Sequence, residues 1–205
     1  MPAHDRAKIE EFWQRWLDAN AAAERDDDWT KIADFYAEDA TYGWMYHPDE
    51  HFMAVGRDQI RDLALGVEME GMDGWTYEYV ATVIDDTTGM IVGFWKQHSN
   101  VTDAEGKEYE ILGIGGSWFG YQENAAGQGE FAWQRDWFDM NSTAHTFLDM
   151  LKAGDAPEPL VKRMHVDGPS QPGHYKLVDI PAPVWPPAIG KGRDHVGLTS
   201  RRAEA

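Results

Sequence analysis

Residues 7–24 place Ile9, Phe12, Trp13, Trp16 and Leu17 three and four positions apart, the spacing that lines one face of an α-helix. Asp26, Asp27 and Asp28 supply capping side chains for a second, short helix over about 29–37, with Ile32, Phe35 and Tyr36 facing inward. Residues 40–46 read as a strand, broken by His47-Pro-Asp-Glu50. A third helix is predicted after Gly56, carrying Ile60, Leu63, Ala64 and Val67. Past Gly74 the period changes from about four to two. Strands are predicted at 75–84, 90–102, 107–122 and 130–141, separated by the turn-prone runs 85–89, 103–106 and 124–129. A last helix over 145–152 follows Asn141-Ser-Thr143, which can cap it.

Three helices with one strand among them, a four-strand meander and a closing helix make an α+β chain, its curved antiparallel sheet wrapped around the N-terminal helices. Three segments carry a resemblance: Phe35-Tyr-Ala-Glu-Asp-Ala-Thr-Tyr42, Val55-Gly-Arg-Asp58 and Trp133-Gln-Arg-Asp-Trp-Phe-Asp139. In this order they are similar to the nuclear-transport-factor-2-like (NTF2-like, SnoaL-like) superfamily over residues 7–153. That resemblance implies a cone enclosing a deep pocket. Within it the chain looks nearest to the limonene-epoxide-hydrolase and cofactorless-lyase branch, whose pocket Asp would fall on Asp136. The branch's Arg-x-Asp pair would fall on Lys96-Gln-His98 and its Tyr-x-Asn pair on Tyr42-Gly-Trp44. Two positions depart from that pattern, since His98 replaces a carboxylate and Trp44 an amide. The dehydratase branch fits less well, because Ala21-Ala-Ala23 stands where its His–Asp dyad would begin.

After residue 153 the pattern stops. Eight of the ten prolines lie in 154–205, and the stretch reads as an extended arm attached to a domain spanning 1–153. Residues 174–185 of this arm include Tyr175, Leu177, Val178, Ile180, Val184 and Trp185, which is too apolar for a solvated tether. The arm is expected to lie across its own domain or a partner's.

Charge narrows the classes of partner. Residues 1–153 carry 11 basic and 30 acidic side chains, against 7 and 6 in the arm, which argues against nucleic acid or an anionic membrane. With no cysteine, thiolate nucleophiles and Cys-ligated zinc are excluded. No apolar run is long enough for a membrane span, and a cytoplasmic location is the expectation. His47, Asp49, Glu50 and His51 match no dedicated metal-ligand spacing and read as a loop at a pocket mouth. Gly113-Ile-Gly-Gly116 lies within a strand, where small residues allow bending or leave room for a ligand.

The candidate chemistry centres on Asp136. Among Trp, Phe and Met neighbours a carboxyl loses water, which raises its pKa and suits it to act as a base near neutral pH. Strand period two puts Phe94, Lys96 and His98 on one face, and Arg135 on the face opposite Asp136. If the 94–98 face lines the cone, an ammonium, an imidazole and the Asp136 carboxylate converge. Alternatives stand beside this: Lys96 can point to solvent, His98 can bond a neighbouring strand, and Tyr42 and Tyr46 can be ordinary core aromatics.

The expected function is a cofactor-independent acid/base enzyme needing no metal. It would be a lyase eliminating water or a one-carbon fragment from a hydrophobic aromatic or polycyclic alcohol. Asp136 would be the base, His98 the proton donor, Lys96 the oxyanion-stabilising cation and Tyr42 a hydrogen-bond donor. Trp16, Trp44, Tyr46, Phe94 and Phe138 would bind substrate, in keeping with ten tryptophans in the chain. An epoxide hydrolase, a polyketide cyclase or ketosteroid isomerase, and a non-catalytic ligand-binding module remain alternatives. Aromatic residues on both strand faces, Phe94 on one and Trp95 on the other, predict back-to-back pairing of sheets in a homodimer.

Overall fold

A computed structural model describes residues 4–164 and 171–186. Helix α1 (Arg6–Asp26) is capped by the Asp5 carboxylate and ends at Asp27 in the left-handed conformation. Its face of Ile9, Phe12, Trp13 and Trp16 is buried. The predicted second helix is a tighter 3-10 coil, Trp29–Phe35, which delivers the chain into β1 (Tyr36–His47). Strand β2 (Glu50–Val55) pairs antiparallel with β1. The sequence reading missed it because all its residues except Val55 are buried, so it has no apolar–polar alternation to detect. Helix α2 (Arg57–Gln59) continues as a π-type turn, Ile60–Ala64.

The meander follows as β3 (Trp75–Asp85), β4 (Met90–Thr102), β5 (Glu108–Glu123) and β6 (Gly129–Trp137). Helix α3 (Met140–Ala153) starts earlier than expected, because the Asp139 carboxylate caps it through the Ser142 amide. The described residues beyond 153, 154–164 and 171–186, hold more regular structure than an extended arm. They include helix α4 (Glu158–Met164) and a short strand β7 (His174–Lys176).

The seven strands lie in the order β3-β4-β5-β6-β1-β2-β7, all neighbours antiparallel except the parallel pair β1 and β6. The sheet curves around α1, as expected for an α+β cone. Trp13 and Trp16 stack on each other and meet Tyr79 and Phe119 edge-on at 5.1 to 5.4 Å. Such ring pairs add about 0.5–1.5 kcal/mol each beyond burial of their area. Gly115 is required here, because a Cβ would lie 2.0 Å from the Trp95 ring. The glycine-rich stretch of β5 therefore makes room for the protein's own indoles. No helix among the described residues is long and apolar enough to cross a membrane.

Candidate active site

Between the inner face of the sheet, the 60–72 segment and α3 lies a chamber of about 670 Å³. The exposed lining residues Asp49, Lys176, Ala144 and Leu148 mark its mouth. Trp16, Trp29, Trp44, Trp95 and Phe138 give its wall large aromatic surfaces.

One row of cross-strand partners organises its wall. Ser117 on β5 is registered with Asp136 on β6, Asp136 with Trp44 on β1, Trp44 with Phe52 on β2, and Phe52 with His174 on β7. Trp44 lines the chamber and stacks on Phe52 at 4.0 Å. Asp136 and His174 thus stand three strands apart, roughly 14 Å of backbone at ordinary strand spacing.

At Asp136 every partner is a neutral donor. The Tyr42 hydroxyl donates to Oδ2 at 2.5 Å and the Gln134 amide to Oδ1 at 2.8 Å, with a further bond from Ser117. Behind this shell Tyr36 donates to the Gln134 carbonyl oxygen, while Tyr79 and the Trp95 indole donate to Ser117 Oγ. Burial pushes the Asp136 carboxyl above its usual range, and the Tyr42, Gln134 and Ser117 bonds only partly offset it. Burial, and secondarily the Asp136 charge, also drives Tyr36, Tyr42 and Tyr79 well above the normal phenol value. These phenols can hold a negative oxygen by hydrogen bonding but are poor at releasing their protons. Tyr77 accepts from Gln97 Nε2 at 3.1 Å, and its own hydrogen has no acceptor among the described bonds. Both side chains line the chamber.

Of the expected site residues, Asp136, Tyr42, Trp44, Tyr46, Phe138 and Trp16 line the chamber. The expected convergence of Lys96 and His98 with Asp136 is corrected. The inward positions of β4 are Trp95 and Gln97, which puts Phe94, Lys96 and His98 on the outer side. Lys96 is exposed opposite Glu78, His98 Nε2 lies 3.0 Å from Thr76 Oγ1, and Phe94 packs against Trp137. The 94–98 pattern itself was read correctly; its two faces were exchanged. Period two fixes which residues share a face but not which face is inside.

The 47–51 cluster divides in the same way. Asp49 and Glu50 line the chamber, whereas His51 is buried on the outer side with neither ring nitrogen hydrogen-bonded. Burial, and secondarily the Arg135 charge, lowers its pKa to about 4. Among the described residues no group of three His, Asp or Glu is placed to hold a metal.

The sequence reading missed a buried polar trio near the mouth. His174 lies between Glu50 Oε1, 2.9 Å from Nδ1, and Glu68 Oε1, 2.8 Å from Nε2. All three side chains are buried, and Arg163 approaches Glu68 at 3.7 Å. No local spacing could have found this trio, since its members are separated by 18 and 106 residues.

No family model matches the chain, and no curated protein matches it in sequence. Solved structures do resemble it. An NTF2-like protein with a cystatin-like fold from Novosphingobium aromaticivorans shares 15% identity at a TM-score of 0.48, covering 68% of this chain and 87% of that one. An NTF2-like protein from Anabaena variabilis shares 15% identity at 0.49, with coverages of 68% and 95%. A protein provisionally named a SnoaL-like polyketide cyclase, from Shewanella denitrificans, shares 15% at 0.46, with coverages of 66% and 96%. At such identities and TM-scores the likeness extends to fold alone and carries no role; the α+β architecture, its curved sheet and its chamber are read from the chain itself.

Proposed function

We propose that the chamber carries out cofactor-independent proton transfer on a hydrophobic, ring-bearing carbonyl compound, with Asp136 as the base. The observation that carries this reading is a half-buried carboxyl of raised pKa on the chamber wall, held by neutral donors among aromatic side chains. A desolvated carboxylate can take a proton from a carbon next to a carbonyl and return it elsewhere on the same molecule. Tyr77, oriented by Gln97, would donate to the oxygen on which charge develops. This is the isomerase or cyclase alternative raised by the sequence.

The chemistry of the walls favours it over the elimination first expected. A lyase must also protonate its leaving group, and His98, the donor expected for that work, lies outside, as does Lys96, the expected oxyanion-stabilising cation. The tyrosines around Asp136, with their pKa values raised, are weak acids for the task. Opening an epoxide demands a comparable acid.

The test is a panel of cyclic ketones, epoxides and aryl alcohols incubated with the protein in deuterated water. Deuterium gained next to a carbonyl, or double-bond migration, is the expected result. Asp136→Asn should slow it by about 10²–10⁴-fold while the fold persists. Release of water or formaldehyde would restore the lyase reading, and undiminished activity of the Asn variant would remove Asp136 from the mechanism.

A further inference from the structure

Residues 171–186 touch the chamber on one side of the sheet and the back of the same sheet on the other. β7 adds to the edge of β2, and Gln171, His174 and Lys176 form part of the chamber wall. Gly173, at φ +88°, fits under the Phe52 ring, where a Cβ would lie 2.5 Å from a ring carbon. The chain then rounds the edge strand, and the carbonyls of Pro183 and Val184 accept from the Arg135 guanidinium at 2.8 and 2.9 Å.

The two attachments are polar and specific. At the mouth, His174 has a carboxylate oxygen within hydrogen-bond distance of each ring nitrogen. A neutral imidazole has one N–H, so both contacts are hydrogen bonds only if the trio keeps one proton beyond a neutral ring and two carboxylates. Removing the ring leaves two buried carboxylates without it, a costly arrangement. At the back, Arg135 also donates to the Thr41 carbonyl and hydroxyl and the Gln134 carbonyl, which fixes its guanidinium for the strap.

Between the attachments little apolar surface is buried. Leu177 is 45% exposed and Val178 91% exposed, and beyond the β2–β7 pairing at Tyr175 and Lys176 the backbone bonds there are Leu177 N–H to Asp49 O and Asp179 N–H to Lys176 O. Segments held by a few polar bonds open at lower free-energy cost than a packed core.

We propose that residues 171–186 are a strap that opens and closes the mouth of the chamber, latched by the Glu50–His174–Glu68 trio in front and by Arg135 behind. Arg135 is also the neighbour of Asp136 in β6, so the outer latch touches the strand that carries the proposed base. Arg135 is in this sense a positioning residue. The inference takes the chamber as the working site but does not depend on its chemistry, because ligand entry is read without turnover.

The chain has no cysteine, which permits a clean tether. Leu177 N–H donates to Asp49 O at 3.3 Å, so Asp49→Cys with Leu177→Cys places two thiols at the seated strap. The probe is 1-anilinonaphthalene-8-sulfonate, with Ala64→Phe, which projects a ring into the chamber, identifying the signal that comes from inside. Oxidation should slow probe entry by at least about tenfold, and reduction should restore it. Equal rates in both states, or thiols that never pair under oxidant, would overturn the strap.

A second measurement follows amide exchange in His174→Gln and Arg135→Gln. Each variant should speed exchange at both 175–177 and 184–185. Loosening confined to the end carrying the substitution would show two separate anchors and no latch. In Arg135→Gln the carbon-13 titration of the Asp136 carboxyl should also move upward, and an unmoved titration would remove Arg135 from the positioning role.

Discussion

Arg135 and Asp136 are adjacent in sequence, yet they belong to different chemical environments. Asp136 faces an enclosed wall where its partners are neutral hydroxyls and an amide, and burial raises its pKa. Arg135 faces the back of the sheet, where all its acceptors are uncharged oxygens and burial lowers its pKa to about 10, leaving it charged at neutral pH. β4 repeats the contrast, with Trp95 and Gln97 inward against Lys96 and His98 outward. The inner face lines the chamber and concentrates hydrogen-bond donors on one carboxyl. The outer face fixes the strap over one part and exposes apolar side chains over another.

The sharpest way to test the inner face is to remove one donor and leave the carboxyl. Tyr77→Phe keeps the ring contacts with Trp29 and Trp95 while deleting the hydroxyl. Loss of one donor to a developing oxyanion costs about 10²–10³-fold in kcat. The measurement is steady-state kinetics on whichever carbonyl compound exchanges deuterium. A change confined to KM would make Tyr77 a binding residue only.

Much of this arrangement was legible in the sequence. The spacing of Ile9, Phe12, Trp13 and Trp16 gave α1, and the apolar–polar alternation of the last four long strands gave the meander. The parity of Arg135 and Asp136 was read correctly, because Trp133–Asp139 fixes the register of β6 against a recognisable fold. β4 offered no such anchor: Phe94 and Trp95 are both aromatic, so alternation could not say which side was buried. β2 and the Glu50–His174–Glu68 trio depend on contacts across the chain, which local periodicity does not encode.

His51 tests the outer face next. Its pKa is lowered to about 4, so its contribution to stability is present above the ordinary value of 6.5 and lost as pH falls through 4. The reason is that unfolding exposes an imidazole that takes up a proton the folded state excludes. The shift corresponds to about 3 kcal/mol between the two pH values. His51→Met should abolish that part of the acid sensitivity and, by removing two unpaired buried nitrogens, be at least as stable at neutral pH. Denaturant melts of both proteins across this range decide it. Equal pH slopes would mean that His51 acquires a partner in solution.

A smaller effect is expected where the outer face is bare. Leu112 and Ile114 are 79% and 73% exposed on β5, near Val80 and Val83 of β3, which are also exposed. The strap reaches the same face at Arg135 and at Trp118, which meets Trp185 edge-on at 6.0 Å. A second copy of this face would cover the remaining patch symmetrically. Sedimentation at micromolar concentration should find a dimer, and Leu112→Lys with Ile114→Lys should yield monomers without altering the chamber. A monomeric parent protein would end that reading.

The smallest effect is expected at Lys96 and His98, and a near-zero result there is informative. Lys96 is exposed opposite Glu78, and pairs of this kind contribute about 0–1 kcal/mol. His98 contacts Thr76 across β3 and β4, where one neutral hydrogen bond is worth about 0.5–1.5 kcal/mol. Neither side chain reaches the chamber, so neither has a route to a substrate beside Asp136. Lys96→Ala and His98→Ala should therefore leave kcat within about twofold, since a general acid–base group would contribute about 10²–10⁴-fold. A loss of that larger size, with the melting temperature unchanged, would mean that β4 presents its other face to the substrate. Trp95 and Gln97 would then have to leave the wall, and the contrast between the two faces of the sheet would fail at its centre.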